Sequence, residues 1–145
     1  MIKGVEIMFA KLLLDQEKKG FLELLYYLSR IDGQVSKCEI DYIKAIASEI
    51  DVDFSELINN GEKEIKIDEI LRQMISPMSK RIVILELINI AFTDRNYTVP
   101  EKQGIRVIAS ILGVDENEIK ALEEWVAEGI KWSDLGLTLI SEGGK

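Results

Sequence analysis

The chain has 145 residues, 47% of them hydrophobic and 30% charged, with a net charge of −8. That length supports one domain with a packed core, and the acidic balance excludes a duplex nucleic-acid binder, which needs a basic footprint to displace counterions. The absence of histidine and the single cysteine, Cys38, exclude histidine-based catalysis, an internal disulfide and a closed zinc site within one chain.

Taken in chain order, residues 3–15 carry apolar side chains at Val5, Met8, Phe9, Leu12 and Leu13, a helical period. Glu6 and Lys11 interrupt this stretch, so it lacks the apolar run of a signal peptide. Gln16–Gly20 reads as a polar break. Phe21, Leu24, Leu25, Leu28 and Ile31 then predict a second helix that stops at Asp32-Gly33, where glycine accepts the left-handed conformation of a helix end. Ser36 and Glu39 form a capping box opening a third helix, whose buried stripe is Ile40, Ile43, Ile46, Ala47 and Ile50. Asp53 and Glu56 open a short fourth helix, and residues 61–67 are a charged linker.

A fifth helix is expected from about Ile67 to Ile75, ended by Ser76-Pro77. Ser79–Thr93 is a sixth. Its apolar positions run almost all the way round, which predicts a central helix covered on several sides. Thr98 and Glu101 cap a seventh helix, with Pro100 in its first turn and Gly113 at its end. Asp115 and Glu118 cap an eighth, with Ile119, Leu122, Trp125 and Val126 facing inward. Trp125 and Trp132 are expected in the core, and the tail from Gly129 is expected to form a separate, short docked helix followed by a frayed Ser141–Lys145 end. No apolar run approaches the ~20 residues of a membrane span. The expected class is an all-α bundle of seven to eight helices in a single domain, residues 1–145.

One register organises this pattern. From Asp32–Glu56 to Asp94–Glu118, 62 residues later and without a gap, nine of 25 positions are identical. Such a match reads as an internal duplication. Residues 21–58 and 83–120 are expected to be two halves related by a near two-fold rotation.

The duplicated loops hold the candidate site residues Asp32, Glu39, Asp94 and Glu101. Glu39 and Glu101 are accounted for by their capping boxes. Asp32 and Asp94 lie at helix C-termini, facing the negative end of the macrodipole, an adverse placement of roughly 0.3–1 kcal/mol that a cation would relieve. Turn stabilisation by Asp is the competing reading. The loop is not a calcium hand, because Leu28 and Arg30 fall where the first two ligands belong. Depending on how the halves pack, the four carboxylates converge or lie on opposite faces. With no soft ligand on offer, a converged set suits calcium, magnesium or manganese.

The run Phe21-Leu22-Glu23-Leu24-Leu25, then Ile31-Asp32-Gly33-Gln34-Val35-Ser36, then Glu39, resembles the TerB-like domain of tellurite-resistance proteins. The likeness covers roughly residues 20–125. It implies an all-helical duplicated fold, a role in tellurite or general stress responses, and a divalent cation at Asp32, Glu39, Asp94 and Glu101. Arg95 stands where the motif has glycine, a departure in the second loop. The expectation is a non-enzymatic cytoplasmic module with a protein partner or a homo-oligomeric state, no nucleic acid and no membrane span. The alternative is a purely structural interaction or dimerisation domain with no ligand.

Overall fold

The computed structural model describes residues 9–30, 37–55, 66–92 and 97–141. Among these it contains a single 3-10 turn, Ala10–Leu12, and six α-helices: α1 (Asp15–Ser29), α2 (Lys37–Glu49), α3 (Ile67–Arg72), α4 (Pro77–Ala91), α5 (Val99–Leu112) and α6 (Glu116–Ser141). No strand occurs among the described residues. The all-α class therefore holds, with six helices rather than seven to eight among the described residues; Phe54 and Ser55 are helical, and the rest of the expected fourth helix lies outside the described residues.

Helix α4 is the centre. Every residue from Ile82 to Ala91 is buried, and α1, α2, α5 and α6 all pack against it. Its mostly apolar sequence leaves no polar face wide enough to meet water. Val83, Ile84, Leu87 and Ile88 are fully enclosed, and burial of each such side chain contributes roughly 1.5–3 kcal/mol. Ser76 caps the helix by accepting from the Ser79 amide at 2.9 Å, and Pro77 occupies the first helical position. The helix therefore starts two residues before Ser79, because Pro77 opens it as well as ending the segment before it.

Two boundaries move for tertiary reasons. Helix α1 begins at Asp15, one residue before the polar run Gln16–Gly20, and includes the whole of that run. Glu17 accepts from the Leu14 amide at 2.8 Å, which satisfies one of the orphan donors of the first turn. Gly20 gives α3 room to approach: a Cβ there would stand 2.9 Å from Cγ2 of Ile70. Upstream, the helix expected over residues 3–15 does not reach its end, since Leu13 and Leu14 are extended. The buried carboxylate of Glu86 holds this segment, accepting from the amides of Phe9 (2.9 Å) and Ala10 (3.0 Å) while Asn89 Nδ2 donates to its other oxygen (2.6 Å).

Helix α6 is the largest departure. The eighth helix and the docked tail helix are one continuous element of 26 residues. It presents Ile119, Val126 and Ile130 to the body. Trp125 precedes Val126 by one residue and is rotated by roughly 100° from it, so it is half-exposed, and Trp132 is largely exposed. Neither tryptophan is a core anchor. Leu135, Leu139 and Ile140 are exposed as well. No helix among the described residues is long and apolar enough to cross a membrane.

The register of 62 recurs in the elements. Asp15 and Ser29 bound α1, and their counterparts Pro77 and Ala91 bound α4. Helices α2 and α5 end alike: Val52 N donates to Ala47 O, and Val114 N to Ala109 O, each at 2.9 Å. Their counterpart residues Asp51 (φ 59°) and Gly113 (φ 81°) both take the left-handed conformation that such a C-terminal motif requires. Glu17 and Ser79, also counterparts, touch one another, with Ser79 Oγ donating to Glu17 Oε1 at 3.1 Å.

Because only glycine takes that conformation without a Cβ penalty, Gly113→Ala should lower stability by roughly 1–2 kcal/mol, and Asp51→Gly should raise it. Urea melts of the two variants check both signs. Glu86→Ala should destabilise by roughly 1.5–3 kcal/mol by leaving buried amides without their charged acceptor, read in the same melts.

Candidate functional site at the second acidic loop

The four sequence-predicted residues fare differently. Asp32 and Asp94 lie outside the described residues. Glu39 stands in the first turn of α2, but its side chain is outside what the structure describes. Glu101 alone is described in full. It is buried, and its Oε1 accepts from the Thr98 amide and from Thr98 Oγ1, both at 2.9 Å, while the Glu101 amide donates to Thr98 Oγ1 at 3.3 Å. The capping box expected there is present. The capping box expected at Ser36 lies outside the described residues, and so does the Glu56 end of the one at Asp53. That at Asp115 and Glu118 is reciprocal, at 3.0 and 2.8 Å.

Aromatic rings bracket the second loop. Phe92, at the end of α4, and Tyr97, before α5, pack with ring centroids 4.9 Å apart. The Tyr97 hydroxyl donates to Glu123 Oε2 on α6 at 2.7 Å, and Lys102 Nζ lies 5.2 Å from the Tyr97 ring centroid, a cation–π distance. Arg106 on α5 forks between two carboxylates of α6. Its Nη1 and Nη2 donate to Glu123 at 2.7 and 3.0 Å, and its Nε and Nη2 to Glu116 at 3.2 and 2.8 Å. This doubly bidentate clamp fixes α5 to α6 beside the loop.

The electrostatics follow from these contacts. Burial pushes the Tyr97 phenol up, and its hydrogen bond to Glu123 adds to the effect. The bonds to Glu123 and then Glu116 push the Arg106 guanidinium up. Burial alone would raise Glu123, but Arg106 and Tyr97 outweigh it and hold the carboxyl below its ordinary range. Arg106 also holds Glu116 down.

Sequence reading missed Tyr97, Arg106, Glu116 and Glu123 as a group. Glu116 and Glu123 lie seven residues apart and so on one face of α6, and that spacing was the available signal. The counterparts of Tyr97, Arg106, Glu116 and Glu123 in the other half are Val35, Lys44, Phe54 and Gly61, so this clamp cannot be formed there. The two loops are thus chemically unlike despite their shared register.

Among the described residues no three His, Cys, Asp or Glu side chains are grouped as a metal would require. The donors proposed from sequence are all carboxylate oxygens, a set suited to a hard cation.

An acidic, all-helical module built from two similar helix pairs is the class that this architecture defines. The family model for tellurite resistance protein TerB matches residues 18–124, which include both helix pairs and both acidic loops, and the chain belongs to that family. No curated protein and no solved structure matches it.

Thr98→Ala should lower stability by roughly 0.5–2 kcal/mol through loss of the cap, measured by urea denaturation. The clamp gives a pH dependence. A carboxyl held low in the folded state stabilises the fold above its unfolded pKa of about 4.3, and that contribution is lost as pH falls through the lower folded value. Between about pH 5 and pH 2 the wild type should therefore lose more stability than Glu123→Gln. Urea melts across that range read the difference.

Proposed function

We propose that this chain is a non-enzymatic stress-response module of the tellurite-resistance type that takes a divalent cation at its acidic loops, with Asp32, Glu39, Asp94 and Glu101 as the ligating residues. The observation that carries the reading is the family match across both helix pairs, with both loops inside it. The composition supports it. Without histidine, and with one cysteine, the chain offers oxygen ligands, which select calcium, magnesium or manganese over softer ions. The net charge of −8 favours a cation over an anionic ligand. Glu101 supports it geometrically, because a cap already fixes one of its oxygens beside the second loop. The module acts in the cytoplasm, where its lone thiol stays reduced.

Calcium, magnesium and manganese titrated separately, with the melting temperature followed, test this reading. An ion that binds only the folded chain stabilises it by about 2.7 kcal/mol at a hundredfold excess over its Kd. The expected result is a rise in melting temperature for the wild type that is absent in the Asp32→Asn, Asp94→Asn double variant. A wild-type melting temperature that responds to none of the three ions ends the cation reading and leaves a ligand-free interaction domain.

A further inference from the structure

Helix α6 continues past the family match, which ends at residue 124, to Ser141. Along that extension Trp125, Trp132 and Leu139 recur every seven residues, with Leu135 three after Trp132. A seven-residue apolar repeat is the seam of one helix packing along another at a shallow angle. This seam does not face the body. Ile130 is buried against it, and Trp132, two residues on, is turned roughly 200° away.

We infer that the exposed stripe of α6 is a self-association surface on which the same helix of a second copy packs antiparallel about a two-fold axis. The available area fits. Trp125 is 50% exposed, Trp132 79%, Leu135 58%, Leu139 63% and Ile140 78%, and the ring of Phe9, 37% exposed, extends the stripe by packing 6.2 Å from that of Trp125. At about 200 Å² for a whole aromatic side chain and somewhat less for an aliphatic one, the exposed portions amount to roughly 700 Å². That is close to the ~800 Å² per partner of a standard interface.

Charge sets the direction of pairing, and apolar burial drives it against the mutual repulsion of two acidic copies. At −8, the chain repels nucleic acid and acidic lipid. Within α6, Glu123, Glu124 and Glu128 crowd the first half, whereas Lys131 and Asp134 are the last charged residues before Ser141. Parallel pairing would stack glutamates on their own copies. Antiparallel pairing sets them against residues 135–141, which carry no charge, and opposes the two macrodipoles favourably. Gly129 and Gly136 flank the stripe, and a Cβ at either would meet nothing within 4 Å, so a neighbouring backbone has room to approach. This inference does not depend on the cation reading.

Sedimentation equilibrium of the full chain, without added metal, tests it. The expected result is a reversible monomer–dimer equilibrium with Kd in the micromolar range or tighter, the span that interfaces of this size cover. Trp132→Glu and Leu139→Glu should each weaken it more than tenfold. Both positions face solvent, so circular dichroism should show the helical content unchanged. Added salt should tighten the dimer, since it screens the repulsion between two acidic copies. Both tryptophans of the chain lie on this stripe, so the wild-type emission should shift to the blue as concentration rises. A monomer at every concentration overturns the inference, whether its emission is exposed or already blue-shifted. So does a dimer whose Kd neither variant changes.

Discussion

Unbroken burial of α4 from Ile82 to Ala91 is the constraint on which the other helices depend. Its apolar positions face every direction, so no single neighbour can cover it, and α1, α2, α5 and α6 are all recruited. The polar groups that α4 carries inward are then fixed by the same enclosure. Glu86 is almost fully buried in this helix. An enclosed carboxylate is costly unless it is hydrogen-bonded, and the amides of Phe9 and Ala10 provide that bonding. The price of one polar residue in the central helix is therefore a fixed path for the chain leading into α1.

The same logic ties the two halves together at the start of α1 and α4. Ser76, Ser79 and Glu17 form a continuous hydrogen-bonded chain in which a helix cap also bridges to the other helix pair. Glu17 and Ser79 are counterparts in the 62-residue register, so the residues that meet here are two versions of one position. Elsewhere the halves have diverged. The second carries the Tyr97–Arg106–Glu116–Glu123 clamp, while the first has residues that cannot build it. The two halves therefore place different chemistry beside the same pattern of Asp, hydroxyl and Glu.

Helix α6 serves two surfaces. Its first turns supply Glu116 and Glu123 to the clamp and Ile119, Val126 and Ile130 to the core. Its later turns extend beyond the body and expose an apolar stripe. The proposed self-association rests on this stripe, since a large contiguous apolar patch is uncommon on a protein surface with no partner to cover it. The family model matches up to residue 124, and α6 runs on from there to Ser141.

The sequence by itself determined the features that depend on neighbouring residues. Capping at Thr98 and Asp115, the glycine at the end of α5, the all-helical class and the enclosure of α4 were each legible, because each rests on the identity of residues within one or two helical turns. Tertiary structure decided what depends on packing between distant segments. Gln16–Gly20 reads as a break, yet it is helical, because Glu17 caps the start and Gly20 admits α3. Trp125 continues an apolar stripe on paper, yet it stands half in solvent, because the body covers only the side of α6 that bears Val126. Arg106 carries no local sign of its partners, since Glu116 and Glu123 meet it only once α6 has folded back along α5. Local spacing specifies which residues share a helix face, but the direction in which that face points is set by the neighbours that compete to cover the core.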